Sequence, residues 1–261
     1  MRVLVRGAGD VGSAVAHRLF MAGYAVAIHD DPHPTTSRRA NAFTDAVFDG
    51  TAALDGVTAA RVDDPHAIAA FLDARAAIPV HVGDFAALLH AVRPAVLVDA
   101  RMRKRATPDG QRGLAPLTIG LGPGFVAGGN VDLAVETSWA ALGTVIASGP
   151  TLPLAGEPRP LAGHARDRFV YAPVAGLFAT ACRLGEPVAA GQVVARIGTT
   201  PLAAPLAGVL RGLTRDGVPV AAGTKVIEVD PRGGTVAGGL GERPGRIADG
   251  VLAALAGGAR R

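Results

Sequence analysis

The fold is decided at the front of the chain, in MRVLVRGAGDVGSAVAHRLFMAGYAVAIHD (residues 1–30). Arg2–Arg6 is a β-branched run that predicts a short strand, and Gly7-Ala8-Gly9-Asp10-Val11-Gly12 follows it directly. Apolar residues at Val11, Ala14, Val15, Leu19 and Ala22 then recur at helical spacing until Gly23 supplies a stop. A second strand is predicted over 24–29, ended by Asp30. Gly-x-Gly-x-x-Gly between a strand and a helix is the spacing of a dinucleotide-binding turn. Its glycines permit a tight turn, close approach of a pyrophosphate, and close helix–strand packing, while free N–H groups and the helix N-terminus attract the anion. Gly7, Gly9, Asp10 and Gly12 are therefore candidate cofactor-binding residues. Asp30 joins them, about 20 residues further on, where a carboxylate accepts from a ribose hydroxyl. The plainer reading is that these glycines serve only a tight turn.

Working outward, the alternation continues. A helix is predicted over 65–76, a strand over 78–82, a helix over Phe85–Val92 and a strand over 95–99. Strand–helix alternation of this kind predicts an α/β fold with a Rossmann-like, doubly wound parallel sheet over residues 1–113. Residues 114–170 are a Gly/Pro-rich extension and connector, with a strand expected at Leu117–Leu121.

Residues 172–198 and 204–230 then align without a gap at an offset of 32, with 12 of 27 positions identical. Each copy reads as strand, G-x-P-V turn, strand. A-P-x-A-G and P-V-A-A-G at matched turns resemble the punctuation of biotinyl and lipoyl domains. The expectation for 171–231 is a small all-β barrel-sandwich hybrid without the modified Lys, since Lys225 lies inside the second copy rather than at the hairpin. Residues 232–261 are expected to be a Gly-rich loop, a short covering helix over 247–255, and a frayed end.

Composition narrows the function. The chain has 261 residues, 26 Lys+Arg against 22 Asp+Glu, 49% apolar residues and one Cys. High apolar content with a net charge of +4 excludes intrinsic disorder. The lone Cys182 excludes a disulfide scaffold and a Cys-based metal site, and no His spacing suits a metal either. A cytoplasmic chain with no membrane span is expected. Aromatics at 4% leave few stacking platforms, so nucleic acid is not an expected partner despite the high pI.

Other charged and glycine-rich stretches supply further candidates. Arg38 and Arg39 follow Asp30 and suit a phosphate. Arg101, in the basic run 101–105 after Asp99, suits an anion at the strand's C-terminal edge. Gly122 and Gly124 could turn backbone amides toward a ligand. Glu136 and Asp132 are the candidate catalytic carboxylates, although each also reads as a structural loop residue. The thiol of Cys182 aligns with Thr214 in the other copy, which marks an ordinary strand position. His17, His66 and His90 read as surface residues.

Five stretches in order resemble the selenium-dependent molybdenum hydroxylase system protein family, accessory to xanthine-dehydrogenase-type enzymes. They are GAGDVGSAVAHRL (7–19), SRRANAFTDAVFDG (37–50), VLVDARMRKR (96–105), IGLGPGFVAGGNVDLAVET (119–137) and the region 172–232. The resemblance implies maturation or cofactor insertion for a molybdenum hydroxylase apoenzyme as partner. It also implies a nucleotide-containing ligand of NAD(P) or molybdopterin type, and leaves enzymatic activity and homo-oligomer formation open. Ser138-Trp139-Ala140 departs from the family pattern. The alternatives are an NAD-dependent oxidoreductase acting on a small molecule and a non-catalytic nucleotide-binding scaffold.

Overall fold

A computed structural model describes residues 1–103, 107–154, 158–234 and 238–258. The chain forms two compact units. One comprises 1–32, 41–155 and 240–261; the other comprises 33–40 and 156–239. The extension at 114–155 and the C-terminal helix thus belong to the first unit.

The first unit runs β1 (Arg2–Arg6), α1 (Asp10–Met21), β2 (Ala25–His29), α2 (Ala46–Asp49), β3 (Thr51–Leu54), β4 (Val57–Arg61), α3 (Ile68–Ala74), β5 (Ile78–His81), α4 (Phe85–Val92) and β6 (Val96–Asp99). It continues through β7 (Leu117–Leu121), β8 (Val126–Ala127), β9 (Leu133–Val135), β10 (Val145–Ile146) and β11 (Gly149–Pro150). Nine of these strands form one sheet in the order β10-β9-β7-β6-β1-β2-β5-β4-β3. Its interior pairs are parallel, while β3–β4 and β10–β9 are antiparallel. The sheet is therefore mixed, which corrects the expected Rossmann-like parallel sheet. The hairpin at Asp55-Gly56, both with positive φ, folds the chain back on itself at one edge.

Both faces of the central strands are buried, as their unbroken apolar runs require. Val3 and Val5 pack with Ala14, Val15 and Leu19 of α1, and Leu4 faces Ile68, Leu72 and Leu88 on the other side. The last helix, α5, is longer than expected, at Glu242–Gly258. Its Ile247, Ala248, Val251, Ala254 and Leu255 enter the core beside α1, so it completes the unit rather than merely covering it. A Cβ at Gly250 would stand 2.3 Å from the Gly143 carbonyl oxygen, so α5 seats directly on that loop.

The second unit contains β12 (Phe169–Tyr171), β13 (Gly176–Ala179), β14 (Pro187–Val188), β15 (Val193–Ile197), β16 (Thr200–Ala203), β17 (Gly208–Leu213), β18 (Val218–Val220) and β19 (Lys225–Asp230). These make two antiparallel sheets, β12-β19-β17-β14 and β16-β15-β13-β18. The expected barrel-sandwich hybrid is corrected accordingly. The repeat is visible in the pairing itself. Leu177 pairs with Pro219, and Pro187 with Val209, which are the same two positions exchanged between copies at the offset of 32. The middle strand of each copy thus crosses to the other copy's sheet, dividing the strands four and four. Among the described residues no helix is long and apolar enough to cross a membrane. Residues 259–261 of the expected frayed end lie outside the described residues.

Candidate functional site

The sheet order reverses at β1: the chain leaves β1 for β2 on one side and returns to β6 on the other. Open α/β sheets bind ligands in the crevice at the carboxyl ends of strands at such a point. The glycine turn lies there. Gly7 has φ +106, and a Cβ on it would stand 3.1 Å from the Ala100 carbonyl oxygen beyond β6. A Cβ on Gly12 would stand 1.9 Å from the Gly7 carbonyl oxygen, so α1 approaches the turn as closely as glycine alone permits. Gly9 differs. As N-cap of α1 it has φ −67 and ψ −179, which any residue adopts.

The turn is braced from several elements. The Gly7 N–H donates to the His29 carbonyl at 2.7 Å. Ser13 Oγ and Thr44 Oγ1 both donate to the Ala8 carbonyl, at 2.9 and 2.6 Å. The Asp30 carboxylate accepts the Ala8 N–H at 2.7 Å through one oxygen and the Asp31 N–H at 2.8 Å through the other. Desolvation in the crevice pushes the Asp30 carboxyl up to about 6, against the pull of those two N–H groups. Asp10 opens α1, where its charge suits the helix dipole, and its Oδ1 accepts the Val11 N–H at 3.0 Å. Among the described residues the N–H groups of Gly9 and Asp10 have no hydrogen-bond acceptor.

Beside the turn lies a polar rung that sequence reasoning missed. His81, His29, Arg6 and Asp99 end four adjacent strands in register. All four alternate with core residues and so point to the α3/α4 face. The Arg6 guanidinium lies 3.8 Å from the Phe85 ring centroid and donates to Gln111 Oε1 at 3.0 Å. Burial, before any neighbouring charge, holds the His29 imidazole below its ordinary range. The available signal was a polar residue closing each apolar strand. Arg243 of α5 was also missed. It donates through Nε and Nη2 to the Thr137 carbonyl at 3.1 and 2.9 Å, an approach no local pattern encodes.

Several candidates have other employment. Glu136 is 1% exposed, and its carboxylate accepts the N–H groups of Thr137, Ser138 and Leu152 at 2.6–2.7 Å. Asp132 accepts from the Thr118 N–H and hydroxyl at 2.8 and 2.7 Å and from Arg112 Nε at 3.1 Å. Both carboxylates fasten loops. Gly122 and Gly124 each have φ +91, so their backbone conformation alone calls for glycine. Arg101 pairs with Asp99 through Nε at 3.0 Å and with Asp109 at 3.0 Å. Although burial opposes its charge, those carboxylates raise its pKa. With Arg103 also 3.6 Å from Asp109, the described part of the basic run is balanced by acid. Lys104 and Arg105 lie outside the described residues. Arg38 and Arg39 belong to the second unit, where Arg38 approaches Glu228 and Arg39 Nε donates to the Leu213 carbonyl. His17 is buried rather than surface, with Nε2 3.2 Å from the Asp55 carbonyl oxygen. Among the described residues no three His, Cys, Asp or Glu side chains gather into a metal site.

No family model matches the chain. It is 41% identical over 257 residues to the uncharacterized protein YqeB of Escherichia coli K12, covering 97% of this chain but 47% of that protein. The chain thus spans about half the length of this curated relative. Solved structures with some likeness include the product-bound ectoine utilization protein EutE (DoeB) of Ruegeria pomeroyi, 16% identical over 87% of this chain and 84% of that one, with a TM-score of 0.25. A succinylglutamate desuccinylase/aspartoacylase of Rhodobacter sphaeroides is 20% identical over 64% of both chains, with a TM-score of 0.23. Scores this low carry no functional argument. The relative found is the uncharacterized YqeB and not a named molybdenum hydroxylase accessory protein, so the resemblance drawn from the five motifs is corrected. The maturation role and the NAD-dependent oxidoreductase alternative are withdrawn with it.

Proposed function

We propose that the first unit is a binding module for a nucleotide-containing ligand, held where the Gly7–Gly12 turn meets Asp30 at the carboxyl edge of the sheet. One observation carries this reading. Gly7 and Gly12 are glycines because the backbone demands it, whereas Gly9 sits in an ordinary conformation at the head of α1. In this reading the missing side chain at Gly9 admits the ligand. The N–H groups of Gly9 and Asp10, unbonded among the described residues, face a phosphoryl oxygen, and Asp30, tethered through Ala8, accepts from a ribose hydroxyl. The negative charges of Asp10 and Asp30 disfavour a 2′-phosphate at this end.

The test is calorimetric titration of the purified protein, cleared of carried-over ligand, with ADP and adenine dinucleotides. Gly9→Val keeps the backbone conformation allowed but fills the approach. Saturable binding that Gly9→Val weakens at least tenfold supports the proposal. Wild-type protein without saturable binding, or a variant that binds equally well, overturns it.

A further inference from the structure

Among the described residues, the second unit gathers more positive charge around one carboxylate than that carboxylate needs. Glu228 of β19 is 2% exposed. Arg168 Nη1 donates to its Oε1 and Lys225 Nζ to its Oε2, the latter at 3.1 Å. Arg211 Nη1 stands 3.4 Å and Arg38 Nη1 3.6 Å from the same Oε1. The Phe169 ring lies 4.3 Å from the Arg168 guanidinium and 4.5 Å from the Lys225 ammonium, which fixes both cations in place. The neighbouring acid, Asp230, is taken by Arg232 through two hydrogen bonds at 3.0 and 2.8 Å. Four described cations therefore share Glu228. The surplus has a cost, since Arg211 is held below its ordinary range by burial and then by the charge of Arg38.

The duplication supplies an internal control. Thirty-two residues earlier, Arg211, Lys225 and Glu228 correspond to Ala179, Val193 and Arg196. Among the described residues, the sheet β16-β15-β13-β18 forms without such a cluster. The fold does not require it. Arg168, with a side chain 7% exposed, also keeps a buried Nε without a hydrogen-bond partner among the described residues. Two of the other cations are partly exposed, with side-chain exposures of 24% for Arg211 and 32% for Lys225.

We infer that this cluster is a binding site for a phosphate-type oxyanion, seated against Arg211 and Lys225 and backed by Arg168. Guanidinium forks match the paired oxygens of a phosphoryl group, and a doubly charged anion offsets the surplus. The anion is either free or the phosphoryl end of a larger molecule.

The test titrates the full chain with inorganic phosphate and with a phosphomonoester, at an ionic strength held constant with chloride. Saturable binding is expected, weakened at least tenfold by Arg211→Gln and by Lys225→Gln, and unchanged by Arg196→Gln. Tighter binding of the phosphomonoester than of inorganic phosphate identifies the larger ligand. Because Arg211 and Lys225 are both partly exposed, either variant provides the readout if the other does not fold. Absence of saturable binding, or equal binding by a folded variant, overturns the inference. Gly9→Val leaves this binding intact, so failure here is distinct from failure of the proposed nucleotide site.

Discussion

The Asp30 carboxylate and the Ala8 N–H are joined by a 2.7 Å hydrogen bond that ties the end of β2 to the glycine turn after β1. The bond fixes one carboxylate oxygen, and the Asp31 N–H holds the other at 2.8 Å. It also places an acid with a raised pKa at the centre of the candidate site.

That pKa sets a pH dependence. Asp30 titrates near 6 in the folded chain, above its ordinary value of 3.8. Its ionised form is the better acceptor for a ribose hydroxyl, so nucleotide affinity rises as pH increases through about 6 and levels off by pH 7.5. Titrations at pH 5 and pH 7.5 check this. For stability the sign is opposite: the neutral form is favoured in the fold, so the contribution is complete below 3.8 and lost as pH rises through about 6.

The three glycines of the turn differ in cost. Gly12→Ala forces a Cβ against the Gly7 carbonyl, and about 2–3 kcal/mol of stability is lost by overpacking. Gly9→Ala fits the existing backbone and costs about 1 kcal/mol or less. Denaturant midpoints of the two variants separate them. Equal losses would show that Gly9 is needed for the fold and not for approach.

Glu136 fastens a loop. Glu136→Ala leaves the N–H groups of Thr137, Ser138 and Leu152 without their shared acceptor, at about 2–3 kcal/mol. A thermal midpoint lowered by several degrees is the expected result. An unchanged midpoint would contradict this fastening role.

Glu228 behaves in the opposite sense to Asp30. Although burial raises its pKa, Lys225, Arg38 and Arg168 together hold it down to about 2, below the ordinary 4.5. Its contribution to stability is present above 4.5 and is lost as pH falls through about 2. Removing the charge with Glu228→Gln leaves the cations facing one another and costs about 3 kcal/mol near neutral pH. Chemical denaturation at pH 7 and pH 3 checks the size and its decline.

Legibility of the fold followed the range of the interactions. The strands and helix around the turn follow from period and punctuation within thirty residues. The β3–β4 hairpin was passed over, although Asp55-Gly56 is a strong turn signal, because its strands are built largely from Ala and Thr and show little apolar contrast. Pro244 and Gly245 concealed the start of α5, yet Pro in a first turn removes an N–H that has no helical partner anyway. At the site, Gly7, Gly12 and Asp30 could be placed from spacing. Arg243 and the rung of His81, His29 and Arg6 could not, since their neighbours are set by strand order and by a helix more than a hundred residues away.

The account rests on a nucleotide seated at the Gly7–Gly12 turn. Calorimetric titration of ADP into the cleared wild-type protein and into Gly9→Val tests it most directly. The account predicts one saturable site in the wild type, weakened at least tenfold in a variant whose thermal midpoint is preserved. Binding of equal strength in both proteins, or in neither, would contradict it.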